Sequence, residues 1–163
     1  MVDFSKLRIG SGYDLHPISD DPTRKFYLGG VEISSGSGPM GHSDADVVCH
    51  AIADAILGLV GLGGIGDHFL ASDPQWKDAK STLMLARCLD MVTDRGAYVI
   101  NVDVTVILQT PRISPYRSMI EGALSELLKV PVSLKAKSPE HVGSLGRNEA
   151  VVAQAVALGY LNP

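Results

Sequence analysis

Apolar and polar positions change period several times along the chain, and each change predicts an element. Val102, Val104, Val106 and Leu108 alternate with Asn101, Asp103, Thr105 and Gln109. That period of two predicts a strand over 98–109 with one buried face. Helical spacing governs Val48, Ile52, Ala55, Ile56 and Leu59. A long helix is expected to start near Ser43, with Ser43 as N-cap and Asp46 three residues on, and to end at the glycines of 61–66. A second helix is expected over 82–95, capped by Ser81 and stopped by Gly96. A third follows Ser114 as cap and Pro115 at its first position, with Met119, Ile120, Ala123, Leu124 and Leu127 as its stripe. Residues 7–9 read as a short strand entering a Gly-rich turn, and 26–33 as a strand or hairpin broken by Gly29-Gly30. Val132–Lys137 reads as a strand, and 150–160 as a closing strand rich in Val and Ala. Segments 34–41 and 64–80 read as loops.

The order predicts an α/β (α+β) architecture: a mixed β-sheet with helices on one face. The length of 163 residues predicts a single domain spanning 1–163. The regular polar face of 101–109 is too wet for a core and fits a subunit interface. Hydrophobic residues make up 45% and the net charge is −4. That balance excludes the disordered class, and the lack of a basic surplus argues against nucleic acid as a partner. No apolar run reaches the length of a membrane span, and the first ten residues lack the pattern of a signal or transit peptide. The two cysteines, Cys49 and Cys88, fall in apolar helical patterns and are expected as reduced core thiols, which fits a reducing compartment. Glycines crowd at 10–12, 29–41 and 58–66, where loops are expected to approach a ligand.

The candidate chemistry lies in Asp14, His16, His42 and His50. Residues i and i+2 of an extended segment point the same way, so Asp14 and His16 share a side. His50 is expected opposite the apolar stripe of its helix. Asp, His and His make a plausible zinc set with a fourth position open to substrate oxygen. The competing reading is a pair of solvent histidines and a loop aspartate. Asp44 and Asp46 read as helix caps, and His68 and His141 as solvated. A second cluster, Lys135, Lys137, Ser138 and Glu140 with Gly143, Gly146 and Arg147, carries the groups that hold phosphates and a hard cation, or else forms a solvated turn.

Together these segments resemble one family, the 2-C-methyl-D-erythritol 2,4-cyclodiphosphate synthases of the non-mevalonate isoprenoid pathway. The matching stretches are RIGSGYDLHP, GHSDADVVCHAIADAILG, SDPQWKDA, INVDVTVILQTPRISP and LKAKSPEHVGSLGR, in family order over nearly the whole chain. The resemblance implies zinc, one per subunit, on Asp14, His16 and His50. It implies His42 and Ser43 beside the reacting phosphates, with His42 and Ser138 in catalytic roles. Lys137, Glu140 and Arg147 would meet the diphosphate, Glu140 with a second cation, Mg²⁺ or Mn²⁺. Leu108, Gln109, Thr110, Pro111, Arg112, Ile113 and Ser114 would shape the cytosine pocket of a cytidine diphosphate substrate. Gly64, Ile65, Gly66, Phe69 and Asp73 would border its methylerythritol end. The resemblance also implies a homotrimer with sites between subunits, and a cytoplasmic protein in bacteria or a plastid-type one after processing in a eukaryote.

Two positions depart from the family pattern. Gly64 stands where an aspartate is usual, and Phe69-Leu70-Ala71-Ser72-Asp73-Pro74 replaces a more acidic loop. Both changes remove carboxylates from the sugar-alcohol end. They motivate an alternative: a weakened or inactive relative that binds nucleotide or prenyl diphosphate without turnover. A metal phosphohydrolase is a third reading, against which stands the lack of an adjacent His-Asp doublet.

Overall fold

The computed structural model describes residues 3–34 and 37–162; Ser35 and Gly36, inside the expected 34–41 loop, lie outside them. Six strands, β1 (Leu7–Pro17), β2 (Tyr27–Leu28), β3 (Val31–Glu32), β4 (Ala97–Ile107), β5 (Val132–Lys137) and β6 (Ala150–Leu161), are interleaved with five helices. These are α1 (Val47–Gly58), α2 (Ile65–His68), α3 (Ser81–Asp94), α4 (Arg117–Leu128) and α5 (Gly143–Gly146). The main sheet runs β1-β6-β4-β5. β6 is antiparallel to both β1 and β4, whereas β4 and β5 are parallel. The sheet is mixed, as expected, and one face buries Val102, Val104, Val106, Leu134, Val151, Ala153, Ala155 and Ala157 under the helices. A register shift between Val99 and Asn101 places both Val99 and Val102 inward.

The strand expected at 7–9 continues to Pro17. Gly10 and Gly12 are not a turn. A Cβ on Gly10 would meet the Ala55 carbonyl oxygen at 1.8 Å, and one on Gly12 the Ala51 oxygen at 1.9 Å. These glycines face the helix rather than a ligand. They let β1 lie against α1, so Asp14 and His16, two and four residues on, share the helix-facing side of the strand.

Several helix starts differ from expectation. Asp46, not Ser43, caps α1, accepting from the N–H groups of Val48 and Cys49 at 3.1 Å each. The same buried carboxylate accepts from Gly29 N at 2.9 Å and Gly30 N at 2.7 Å, clamping the β2–β3 hairpin to the helix. Both glycines have positive φ, as a two-residue hairpin turn requires. α3 begins at Ser81, with Lys80 at the cap position. α4 begins only at Arg117, because Ile113, buried, anchors a turn through which Ser114 and Pro115 pass; Tyr116 N–H bonds Ile113 O at 2.9 Å. Its inward stripe is Ile120, Leu124 and Leu128. Met119 and Ala123 face out, one position off the expected row. The expected 64–80 loop holds α2 and a 3₁₀ turn over Pro74–Trp76. Cys49 and Cys88 are buried free thiols, and burial pushes the Cys88 pKa up to about 12. No helix among the described residues is long and apolar enough to cross a membrane.

Candidate metal centre and ligand clefts

Asp14 and His16 project from the end of β1 toward the first turns of α1, where His50 is 5% exposed. His50, expected opposite the apolar stripe of its helix, is buried all the same, because α1 is buried on nearly every side. Asp14 Oδ2 lies 2.8 Å from His16 Nδ1 and 3.1 Å from His50 Nδ1, and one donor atom from each residue falls within 4.8 Å of the others. Burial works against the Asp14 carboxylate, yet the two imidazoles outweigh it and hold its pKa at about 2. Burial pulls the His50 pKa down, and the Asp14 carboxylate leads the groups that raise it above the usual value. His16 Nδ1 is buried without the alignment of a hydrogen bond. An orphaned ring nitrogen beside a carboxylate and a second imidazole is a donor set that fits zinc.

Around this triad, Ser43, His42, Ile65, Gly66, Phe69, Ala71, Trp76 and Met84 close a cleft of about 170 Å³. Ser43 is buried and His42 exposed. Gly41 permits the approach of this loop, since a Cβ there would meet His16 Cδ2 at 2.9 Å. Phe69 packs edge-on against Trp76, with ring centroids 4.8 Å apart. Gly64 does not line this cleft. It sits against Asp54, whose Oδ1 accepts the Ile65 N–H at 2.7 Å, and its own N–H bonds Asp67 Oδ2 at 2.9 Å. Asp73 turns away to cap the 3₁₀ turn, accepting from Gln75 N at 3.0 Å.

A second cleft, of about 420 Å³, opens at the C-terminal ends of the parallel strands β4 and β5. Leu108, Gln109, Pro111, Arg112, Ile113, Ser114, Lys137, Ser138 and Glu140 line it together. Thr110 stands beside it and donates its N–H to Asn148 Oδ1 at 3.1 Å. Arg147 is not brought in; its guanidinium pairs with Glu149 at 2.6 Å. His141, expected as solvated, lines this cleft, and its N–H bonds Gln109 Oε1 at 3.1 Å. His141 is nonetheless exposed, whereas His68 is half-buried, its Nε2–H donating to Leu62 O at 2.8 Å.

Sequence reasoning missed Ser81 and Asp44. Ser81 Oγ lies 2.9 Å from His50 Nε2 and donates to Asp44, whose carboxylate accepts the Ser81 N–H instead of capping α1. A Ser at a helix start resembles a cap, and nothing local marks it as part of a distant site. Met84 and Trp76 were missed for the same reason.

A single mixed sheet backed by helices, with a two-His, one-carboxylate centre beside a ligand cleft at its strand ends, defines a metal-binding α/β protein. The model of the YgbB family matches residues 7–160. The 2-C-methyl-D-erythritol 2,4-cyclodiphosphate synthase of Leptospira biflexa is 46% identical over 155 residues, covering 93% of this chain and 96% of that one. The bifunctional IspDF of Campylobacter jejuni superposes with a TM-score of 0.90 at 30% identity, over 96% of this chain and 42% of that one. The Plasmodium falciparum IspF–CDP complex superposes with a TM-score of 0.83 at 32% identity, over 99% of this chain and all of that one. The chain belongs to the YgbB family.

Proposed function

We infer that this chain is a cyclising, CMP-releasing lyase of isoprenoid biosynthesis, a 2-C-methyl-D-erythritol 2,4-cyclodiphosphate synthase acting as one domain over 1–163. The observation that carries the inference is the meeting of Asp14, His16 and His50 in a chain so similar to synthases of that name. The substrate is 4-diphosphocytidyl-2-C-methyl-D-erythritol 2-phosphate. An oxygen of its 2-phosphate attacks the β-phosphorus, the β-phosphorus–oxygen bond to the α-phosphate breaks, and CMP leaves. Phosphate is already a nucleophile, so no strong base is needed. The task is to bring two anions together in line.

The donor set supports zinc on Asp14, His16 and His50, and Glu140 offers a carboxylate for Mg²⁺ or Mn²⁺ with the diphosphate. Bound ions at these places would supply charge neutralisation to the reacting phosphates. His42 and Ser43 border the metal cleft and are assigned to the phosphate that is attacked. Lys137 supplies a cation and Ser138 a hydroxyl to the diphosphate from the second cleft. Leu108 to Ser114 enclose the cytosine, with Arg112 at the phosphate side. Ile65, Gly66 and Phe69 border the methylerythritol, Gly64 and Asp73 support them from behind, and Arg147 is assigned to the diphosphate only after leaving Glu149.

The two clefts belong to opposite edges of the sheet. β1 carries the metal ligands, β5 carries Lys137, and β6 and β4 lie between. Three strand spacings separate the edges by about 14 Å. One chain therefore holds two half-sites, and a ring of three copies joins the metal cleft of one to the nucleotide cleft of the next. The outward face of the sheet supports that ring: Ile9, Tyr13, Leu15, Tyr98 and Val156 are exposed beside Asn101, Asp103 and Thr105. Phosphorus NMR of the product tests the reaction. A cyclic diphosphate is expected, whereas inorganic phosphate would identify a phosphohydrolase instead.

A further inference from the structure

His50 is held from both sides. Its Nδ1 lies 3.1 Å from Asp14 Oδ2, a carboxylate that can only accept, and its Nε2 faces the start of α3, 2.9 Å from Ser81 Oγ and 3.3 Å from Ser43 Oγ. Ser81 is fully buried, so no water satisfies it. A hydroxyl has one proton to give. The Ser81 hydroxyl faces the Asp44 carboxylate, which can only accept, and the Asp44 oxygens are also fixed by the Ser81 N–H at 3.2 Å. The Ser81 proton therefore goes to Asp44. Ser81 Oγ is left to accept, and the nearer of the two groups that face it is His50 Nε2, at 2.9 Å against 3.3 Å for Ser43 Oγ.

We propose that Asp44 and Ser81 are positioning residues for the metal centre: their relay accepts the Nε2–H of His50, so the Nδ1 proton that faces Asp14 is the one a metal displaces, and the freed Nδ1 lone pair is aimed between Asp14 and His16. Were Ser81 to donate to His50 instead, the ring proton would sit on Nδ1, bond to Asp14, and block the metal position. Asp14 draws a proton to Nδ1, and Asp44, by holding the Ser81 proton, makes Nε2–H the form that a metal on Nδ1 leaves. The relay is the serine-mediated form of a carboxylate that orients a ligating histidine from behind. It also ties α3 to the centre, although no residue of α3 would touch the ion. The proposal rests on the reading of Asp14, His16 and His50 as a zinc site.

Two measurements on the full chain test it. Zinc affinity is measured by competition with a chromophoric chelator for the native protein and for Ser81→Ala, Ser81→Thr and Asp44→Asn. Ser81→Ala and Asp44→Asn are expected to bind zinc about 10–100-fold more weakly. Ser81→Thr keeps the hydroxyl and is expected to restore most of the affinity. The His50 tautomer is read from side-chain ¹⁵N shifts of the zinc-loaded native protein, and the proton is expected on Nε2 with Nδ1 on the metal. That second readout stands even where a variant does not fold. A loaded His50 that carries its proton on Nδ1 and meets the metal through Nε2 overturns the proposal. So does a folded Ser81→Ala protein that binds zinc as tightly as the native one, the result of a purely structural role. A native protein that takes up no zinc removes the metal reading itself, and that outcome is distinct from the other two.

Discussion

A side chain on Gly12 would begin 1.9 Å from the Ala51 carbonyl oxygen, so β1 and α1 meet backbone to backbone. The contact sets the height at which Asp14 and His16 face His50, the residue immediately before Ala51. Gly12→Ala forces two backbones apart in a close-packed core, at a cost of about 3 kcal/mol. Denaturant unfolding is expected to show that loss, and zinc uptake by the folded fraction is expected to fall with it. Unchanged stability and zinc affinity would show that the strand–helix distance is not fixed by this glycine.

Gly122 provides the opposite case. It lies inside α4, and a Cβ there meets nothing within 4 Å. Gly122→Ala is expected to raise stability by about 0.5–1 kcal/mol through lower unfolded-state entropy and better helix propensity. Denaturant melts of the two variants side by side check that glycines act here by contact and not by type.

Zinc binding is expected to weaken as pH falls. The Asp14 carboxylate raises the His50 pKa above its usual value, so the zinc-free protein keeps the His50 proton to higher pH. Zinc must displace that proton. Affinity should therefore be constant at alkaline pH and begin to fall above the ordinary histidine value of about 6.5. Chelator competition across pH gives the curve. In Asp14→Asn the raising charge is gone, so the onset is expected to move to lower pH while the affinity at alkaline pH also drops.

Gly64→Asp is expected to strengthen substrate binding. Gly64 has an ordinary extended backbone, φ −117° and ψ 175°, so a side chain brings no backbone strain. Its Cβ would approach Asp54 Oδ1 to 3.1 Å, which a small rotation of that half-exposed carboxylate relieves. A charge-assisted bond to a substrate hydroxyl contributes about 1.5–3 kcal/mol, or about ten- to a hundredfold in KM. The effect is expected in KM more than in kcat, because the contact is equal in ground and transition states. An unchanged KM would assign the role to the carboxylates already beside Gly64, Asp54 and Asp67.

The proposed ring of three copies predicts a mass in solution three times that of the chain. Ile9 is 73% exposed and Tyr13 60% exposed on the outward sheet face. Ile9→Asp is expected to break the assembly and to abolish activity while leaving zinc binding in the monomer. Light scattering of the native protein as a monomer at assay concentration would count against a shared site.

Much of the architecture was legible because period and burial agree. The Val102–Leu108 alternation and the Val132–Lys137 run sit where their patterns place them, and Ala150–Leu161 forms an interior strand, as its valines favour and its alanines do not. The metal triad was legible because its residues lie in dense motifs. The failures share a cause. Gly10, Gly12, Ser81 and Asp44 carry turn or cap chemistry by type, and their actual roles depend on what packs against them from far along the chain. Asp46 illustrates the same limit, since its hairpin clamp joins positions 16 and 17 residues apart. The pairing of Arg147 with Glu149 was not legible either, since both side chains are exposed and charge alone does not fix which partner an arginine takes.

CMP release from authentic substrate, followed with zinc-loaded, chelator-stripped and zinc-restored native protein, tests the central claim most directly. The account predicts release by the loaded protein, loss on stripping, recovery on adding zinc back, and no recovery in His50→Ala. A zinc-loaded native protein that binds the nucleotide and releases no CMP would contradict it.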